Sequence, residues 1–484
     1  MNLMIKRTAP ALALLGLGLA GCQPEIEAPT ASAGSADFSS YIAVGNSLTA
    51  GYADGGLYRE GQLNSYPSIL ASQFAKVGGG SFVQPLFTEA QSNGSGYLRL
   101  AGFSATGSPL TAPVTTNLAV RGGTAAAPLY TQFLDPVNNL GVPGIRMSDI
   151  QTVGYGSTQG NPYFERLTPA ASAGQTYLQR VQATVASLKP TFFTEWLGNN
   201  DVLGYATAGG AASSITPMAA FTINTGLVLD ALTINGAKGV VSTIPDVTGI
   251  PFFTTVGPSL RAALDQNNVP VAVAPFVYTT GILAPGQPNT RILTAKLSDI
   301  RDANGNGNLL LTLTSSPYLG LYGMPSGKYW RDFYRQAKPS LPPTVPNLTV
   351  FLLALGVDTT KAFGQSPQNP FPSTLVLDPT EQTTVANATT AFNSALTAAA
   401  NARNLAVFDA FTFFRSVASS GYAVNAVNNT AGYLSGNLFG LDGVHPTPRG
   451  YAVIANEMLK AINAKYGSSF SGVNANNYRG VLFP

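Results

Sequence analysis

The only histidine of the chain, His445, lies three residues after Asp442 in the sequence Asp-Gly-Val-His. An aspartate at this spacing can turn back to the imidazole, which is how a carboxylate orients a catalytic base and stabilises its charged form. Ser47, in Gly-Asn-Ser-Leu directly after an apolar run, is the type of hydroxyl that such a base activates. If the chain uses Ser–His chemistry, His445 is therefore its base. An incidental turn serine and an unrelated surface histidine are the alternative interpretation.

Two further segments could stabilise negative charge on a reacting oxygen. Asn200, in Gly-Asn-Asn-Asp, carries an amide that can donate to an oxyanion, and such a donor contributes about 2.7–4 kcal/mol to the transition state. Gly144, at the end of Gly-Val-Pro-Gly, offers a backbone N–H with little side-chain obstruction. Each segment taken alone is equally consistent with an ordinary turn.

The count of one Cys and one His excludes whole classes of site. A structural zinc site needs about four N or S ligands and a catalytic one about three, so a Cys/His zinc site is impossible, as is a disulfide within the chain. Carboxylate sites for Ca²⁺ or Mg²⁺ stay open. Residues 302–307 imitate the start of an EF-hand loop, but the twelfth position is Leu313 where a bidentate Glu is needed, and we interpret the segment as a turn.

Apolar periodicity predicts alternating strands and helices around these motifs. The predicted strands cover 41–44, 191–197, 239–244 and 405–408, and the predicted helices cover 66–77, 177–188, 217–235, 379–401 and 448–462. This alternation indicates an α/β fold with a parallel sheet covered on both sides. Ligands of such sheets bind beyond the carboxyl ends of the strands, where the polar motifs lie.

The four motifs, in this order, resemble the conserved blocks of the GDSL/SGNH hydrolase superfamily, and more specifically its bacterial lipase/esterase lipoproteins. The blocks are Gly45-Asn46-Ser47-Leu48, Gly144 in Leu-Gly-Val-Pro-Gly, Gly198-Asn199-Asn200-Asp201 and Asp442-Gly443-Val444-His445. The segment 236–245 is also similar to the family, and the resemblance runs from residue 40 to about 465 with insertions.

The resemblance implies a role for each matching residue. Ser47 would be the nucleophile and one backbone oxyanion donor, with Gly144 and the Asn200 side chain as the other donors. His445 would be the base, oriented by Asp442. It further implies a flavodoxin-like three-layer α/β/α fold, an acyl-serine intermediate, and no cofactor or metal. Asn46 departs from the family, which usually has Asp there, and the change should alter local hydrogen bonding more than chemistry.

The N-terminus predicts export and lipid attachment. Lys6-Arg7, an apolar run and Leu19-Ala20-Gly21-Cys22 match a bacterial lipoprotein signal peptide over 1–21 with Cys22 as the lipidated residue. A Pro/Ala/Ser-rich tether is predicted over 22–38, then a hydrolase domain over 39–470 with insertions at about 78–135 and 251–377, and a C-terminal tail over 471–484. An ordinary signal peptide with an incidental Cys is the alternative.

Composition fits an extracytoplasmic protein without nucleic-acid partners. Only 10% of residues are charged, and removal of Lys6 and Arg7 leaves 24 basic and 23 acidic residues with no basic stripe. We expect the bacterial cell envelope as the location. Gln23 after the lipidated Cys is not an inner-membrane retention signal of the Asp type, which favours the outer membrane.

The leading functional prediction is a serine esterase or lipase whose partner is an ester substrate, either an acyl lipid or an acylated glycan. Two alternatives remain: a carbohydrate O-deacetylase of the same superfamily, and a non-catalytic lipoprotein that binds partners on a hydrolase fold. Loss of any member of the Ser47, Asp442 and His445 set would have favoured the non-catalytic reading. The two insertions are predicted to form walls or a lid for an apolar acyl site.

Overall fold

The computed structural model describes residues 30–103, 109–211, 213–281, 291–424 and 426–484. The predicted signal peptide, Cys22 and the first part of the tether lie outside these residues. The last part of the predicted tether is packed, because the Phe38 ring stacks on Phe74 at 4.3 Å and Ser35 N donates to Tyr466 O at 2.8 Å. The prediction of a flexible tether as far as residue 38 is therefore wrong, since Phe38 belongs to the core.

A five-stranded sheet forms the centre of the fold, with four pairings that are all parallel. Its strands are β1 (Tyr41–Gly45), β6 (Asn139–Gly141), β7 (Phe192–Trp196), β8 (Lys238–Ser242) and β13 (Ala406–Phe408). The order across the sheet is β13-β8-β7-β1-β6. The mixed α/β class, the parallel sheet and four of its strands are confirmed, whereas β6 was not predicted, because it has only three residues and lacks an apolar run.

The α-helices, numbered in chain order, follow the predicted alternation. They are α1 (Ser47–Ala50), α2 (Arg59–Leu63), α3 (Tyr66–Phe74), α4 (Pro162–Glu165), α5 (Tyr177–Leu188), α6 (Asn199–Thr207), α7 (Met218–Thr233), α8 (Pro251–Thr254), α9 (Val256–Gln266), α10 (Lys328–Ala337), α11 (Leu348–Leu355), α12 (Pro379–Ala402), α13 (Ala410–Ser420) and α14 (Pro448–Tyr466). Short 3-10 helices lie at Ala75–Val77, Glu89–Gln91, Met147–Asp149, Ala170–Ser172, Val247–Gly249, Leu297–Asp299, Leu313–Leu321, Lys338–Ser340, Ser373–Leu375 and Ala475–Asn477.

Helices cover both faces of the sheet. From β1 the chain adds β6 on one side of the sheet, and it then adds β7, β8 and β13 in turn on the other side. Because parallel crossovers are right-handed, this reversal of direction places the helices that follow β1 and those that follow β7 on opposite faces. In agreement, α3 packs against α14, while α7 packs against both α5 and α12. The polar loops that follow β1, β6 and β7 consequently meet at one edge of the sheet.

The predicted insertions contain most of the remaining strands, which pair as antiparallel ribbons. These strands are β2 (Leu98–Phe103), β3 (Pro109–Pro113), β4 (Val120–Gly123), β5 (Pro128–Tyr130), β9 (Pro275–Thr280), β10 (Arg291–Lys296), β11 (Leu310–Leu311), β12 (Val376–Leu377), β14 (Tyr422–Val424) and β15 (Val427–Asn429). The second insertion has its own apolar cluster, which includes the buried Phe276, Trp330 and Phe371. The second insertion is therefore a packed unit, in which Trp330 is buried at 6% exposure.

Local sequence signals set several helix boundaries. Asp378 caps α12 by accepting from Thr380 N and Glu381 N, and Thr447 caps α14 by accepting from Gly450 N. Ser65, the residue before α3, is of a type that often caps helices, but it makes no capping bond; its hydroxyl donates to Gln84 Oε1 instead. Within the described part of the chain, none of the helices combines the length and apolar character that crossing a bilayer requires.

Candidate active site

The turn after β1 places Ser47, which is 6% exposed, at the start of α1. Gly45 is required there, because a Cβ at this position would lie 2.1 Å from Thr49 Oγ1 and 2.8 Å from Trp196 O. Asn46 caps α1 by accepting from Leu48 N at 3.0 Å. Ser47 is the first helical residue, so its own N–H has no partner within the helix.

Ser47, His445 and Asp442 form one connected chain of hydrogen bonds. Ser47 Oγ lies 2.8 Å from His445 Nε2, and His445 Nδ1 lies 2.7 Å from Asp442 Oδ2. The serine and the histidine are separated by 398 positions along the chain. The fold therefore brings together the three residues that the sequence singled out, in the order of the predicted nucleophile, base and acid.

The Asp442 carboxylate is surrounded by donors. Its Oδ1 accepts from Val444 N and His445 N, both at 2.9 Å, and its Oδ2 accepts from Gly55 N at 2.9 Å in addition to the imidazole. Burial alone would raise the pKa of Asp442, but the His445 charge and these hydrogen bonds hold that pKa below its usual value. The acid is thus ionised at neutral pH and can stabilise an imidazolium.

An aromatic ring packs against the base. The Tyr52 ring lies 4.6 Å from the His445 ring, and the Tyr52 hydroxyl donates to Gly55 O at 2.7 Å. Tyr451 in α14 donates to Tyr52 O at 2.6 Å. The imidazole is held between its carboxylate and an aromatic side chain that is itself fixed.

The two other predicted oxyanion donors lie on neighbouring loops. Gly144 is exposed, has φ +82°, and its N–H has no acceptor among the described residues. Asn200 Nδ2 donates to Ile145 O at 2.9 Å, which leaves the second N–H of this amide uncommitted. Since β1 lies between β6 and β7, the loops that carry Ser47, Gly144 and Asn200 are adjacent.

Asp201 fixes the loop that follows Gly144. The side chain is fully buried and accepts from Met147 N at 2.7 Å, Ser148 N at 3.3 Å and Thr216 Oγ1 at 2.5 Å. Burial raises the pKa of Asp201 to about 6, against the opposing effect of these hydrogen bonds. The block Gly-Asn-Asn-Asp therefore supplies both a candidate donor and the group that positions the neighbouring loop.

Asn46, the departure from the family pattern, is 1% exposed. Its oxygen is used by the Leu48 N–H, but its Nδ2 has no hydrogen-bond partner among the described residues. Among the described residues, no hydrogen bond joins the Asn46 side chain to Ser47, His445 or Asp442.

Residues of both insertions lie beside the loop 440–445, the candidate catalytic loop. A Cβ added to Gly55 would lie 3.6 Å from the Leu98 side chain of the first insertion and 3.8 Å from Asp442 Cβ. Leu98 and Asp442 therefore lie near each other beside Gly55. In the second insertion, Phe252 N donates to Gly443 O at 2.9 Å, and Leu313 Cδ2 lies 3.1 Å from the position that a Cβ on Gly443 would occupy. Apolar side chains from both insertions therefore lie close to the loop that carries His445.

The described residues contain no cluster of three or more His, Cys, Asp or Glu side chains that could hold a metal ion. The EF-hand-like segment forms a turn in which Asp302 Oδ1 accepts from Asn304 N and Asn306 N.

Two residues beside the site were not identified from the sequence. Asp54 accepts from Leu441 N at 2.9 Å, and Arg479 in the predicted tail lies 3.8 Å from Asp54 Oδ2. The Asp-Gly-Gly sequence at 54–56 was the one available signal, because it predicts a tight turn close after the nucleophile. Comparison of the chain with protein-family models, with curated proteins and with solved structures found no match.

Proposed function

We propose that the protein is a serine hydrolase that cleaves carboxylic esters through an acyl-serine intermediate. The observation that carries the proposal is the chain of hydrogen bonds from Ser47 through His445 to Asp442, at 2.8 Å and 2.7 Å. Nucleophile, base and orienting acid at hydrogen-bonding distance are the arrangement that activates a serine.

The proposed reaction has two halves. His445 Nε2 takes the proton of Ser47 Oγ as this oxygen attacks the ester carbonyl, and the oxyanion is bound by the Ser47 and Gly144 N–H groups and the Asn200 amide. The tetrahedral adduct expels the alcohol, which receives the proton from His445. Water then attacks the acyl-serine, again losing its proton to His445, and the acid is released with Ser47 regenerated.

Membership of the GDSL/SGNH superfamily is part of the proposal. Numbered along the chain, the sheet order is 2-1-3-4-5 from one edge, the order of flavodoxin-like folds. The four sequence blocks lie on the loops at the carboxyl edge of this sheet or just before the last helix, as the family pattern requires. Lipid attachment at Cys22 and an envelope location belong to the same proposal.

The preferred substrate would carry an apolar acyl group of more than two carbons. Leu98, Phe252 and Leu313, which flank the catalytic loop, offer no partner for sugar hydroxyls. We therefore favour lipid-like esters over the deacetylation of carbohydrates.

Active-site labelling tests the proposal directly. A fluorophosphonate probe should label the wild-type protein, while Ser47→Ala and His445→Ala should not be labelled. Ser259→Ala, at an exposed helical serine, is the matched control and should be labelled like wild type. Folded wild-type protein that the probe does not label would refute the catalytic proposal.

A series of p-nitrophenyl esters from acetate to laurate tests the substrate class. Hydrolysis restricted to acetate would contradict the apolar acyl site and favour a deacetylase, even if labelling succeeds.

A further inference from the structure

The turn at Asp54 and Gly55 makes two hydrogen bonds to the catalytic loop. Leu441 N donates to Asp54 Oδ1 and Gly55 N donates to Asp442 Oδ2, both at 2.9 Å. The contact is close as well, because a Cβ on Gly440 would lie 2.7 Å from Asp54 Oδ1. The turn at Asp54 and Gly55, which is distant from Asp442 in sequence, therefore helps to fix the position of the Asp442 carboxylate.

Asp54 is a buried charge that the proposed reaction does not use. The residue is 4% exposed, and burial raises the pKa of Asp54, while the hydrogen bond from Leu441 N and the Arg479 charge oppose that rise. Its Oδ2 accepts from the Tyr58 hydroxyl at 2.8 Å and lies 3.8 Å from Arg479 Nη2. A buried carboxylate needs such compensation to remain a dependable acceptor.

Several hydrogen bonds hold Arg479 in its position beside Asp54. Its guanidinium makes two bonds of 2.7 Å to the Glu60 carboxylate and one of 2.9 Å to the Tyr58 hydroxyl. Its backbone oxygen accepts from Arg449 N at 2.9 Å. Arg449 is in the first turn of α14, close after His445, so the C-terminal segment links the start of α14 to the Asp54 turn.

We propose that Asp54 is a positioning residue for the catalytic acid, and that Arg479 of the C-terminal segment keeps it in place. Asp54 acts through the Leu441 N–H and the adjoining Gly55 N–H, which fix Asp442 relative to His445. This inference rests on the proposed hydrolase function. It gives residues 471–484 a role in turnover, whereas the sequence predicted only a tail.

Steady-state kinetics of four variants test the inference. Asp54→Ala and Arg479→Gln should lower kcat by about tenfold to a hundredfold, because small displacements of a catalytic group have effects of this size. KM should change by no more than about threefold, since Asp54 and Arg479 reach the site through the Leu441 N–H and neither is hydrogen-bonded to Ser47 or His445. Asp54→Asn should restore most of kcat, because the Asn side-chain oxygen can still accept from Leu441 N. Arg403→Gln is the matched control: Arg403 is 22% exposed and pairs with Asp230 at 2.6 Å, whereas Arg479 is 19% exposed.

A proton NMR measurement gives a readout that does not need turnover. The chain has one histidine, so a low-field resonance of the Nδ1–H shared with Asp442 is assigned without ambiguity. It should shift or broaden in Arg479→Gln, and in Asp54→Ala if that variant folds, but not in Asp54→Asn or Arg403→Gln.

The outcomes separate the two proposals. Wild-type turnover together with unchanged kcat and an unchanged resonance in Arg479→Gln overturns the inference and leaves the hydrolase function standing. Loss of kcat in Asp54→Asn as large as in Asp54→Ala also overturns it, because the hydrogen bond would then not be the cause. Folded wild-type protein without turnover or labelling refutes the hydrolase function, and the inference with it.

Discussion

The Asp442 carboxylate lies 2.7 Å from His445 Nδ1, although the two residues are only three positions apart in one tight turn. The same carboxylate accepts from the backbone N–H groups of Val444 and His445, so the turn is closed by the side chain that orients the base. One group therefore does two things: it shapes the loop, and it fixes which nitrogen of the imidazole faces Ser47.

Asp442→Asn should lower kcat by about 10³–10⁴-fold, because an amide in this position favours the wrong imidazole tautomer. An Asn has one acceptor oxygen, whereas the Asp442 carboxylate uses both oxygens to accept from four donors. The check is kcat on the best ester found in the chain-length series. Asp230→Asn, at an exposed carboxylate paired with Arg403, should retain wild-type kcat; a similar loss there would contradict the assigned role.

The pairing of Asp442 with His445 was predictable because it is local, whereas the meeting of Ser47 with this pair was implied by the family resemblance of the four motifs. Strands that end in Gly45 and Trp196 had to lie in one parallel sheet, whose carboxyl edge gathers the loops that follow. Periodicity and the alternation of strands and helices are sufficient to predict this sheet.

The environment of the acid was not predictable in the same way. Asp54 and Arg479 are brought together by contacts across more than 400 positions of sequence, and neither follows a strand. The ribbon β2–β3 was also missed, because its strands are half exposed and rich in small residues, so they lack a clear alternation.

Asn200→Ala should lower kcat by about 10²–10³-fold with little change in KM, the usual consequence of removing one oxyanion donor. One N–H of the amide is fixed by Ile145 O at 2.9 Å, so the other is pre-oriented and its loss is not compensated by solvent. The measurement is the kcat and KM of the variant beside its thermal midpoint. A rise in KM at unchanged kcat would show instead that Asn200 binds the ground state.

Gly443→Ala should reduce both stability and activity. Gly443 has φ +69°, and its new Cβ would lie 2.9 Å from Phe252 N, a backbone atom that can only move with the second insertion. Gly305→Ala is the matched control, because Gly305 has φ +83° but nothing within 4 Å. The left-handed conformation should cost about 1–2 kcal/mol in both variants. Gly443→Ala should therefore have a lower free energy of unfolding in urea and a lower kcat than Gly305→Ala. Equal activity in the two variants would contradict the close contact at Gly443.

Glu195→Gln should stabilise the protein increasingly as the pH rises from 5 to 8. Glu195 lies in β7 at 1% exposure, its Oε1 accepts from Leu197 N at 3.0 Å, and its Oε2 has no hydrogen-bond partner among the described residues. Burial raises its pKa to about 8, although the bond from Leu197 N opposes this. Above the pKa of an unfolded Glu, Glu195 is therefore protonated in the folded state but ionised in the unfolded chain. As the pH rises through this interval, the contribution of Glu195 to the free energy of unfolding falls by up to about 1.4 kcal/mol per pH unit.

The Gln side chain is neutral at every pH, so the difference in unfolding free energy between Glu195→Gln and wild type should grow across this interval and level off above about pH 8. Urea unfolding at four pH values between 5 and 8.5 measures it. Glu89→Gln, at an exposed side chain, is the control and should follow the wild-type curve. A difference that stays constant with pH would mean that Glu195 is ionised in the folded protein, and the strand before Asn200 would then carry a buried charge rather than a neutral acid.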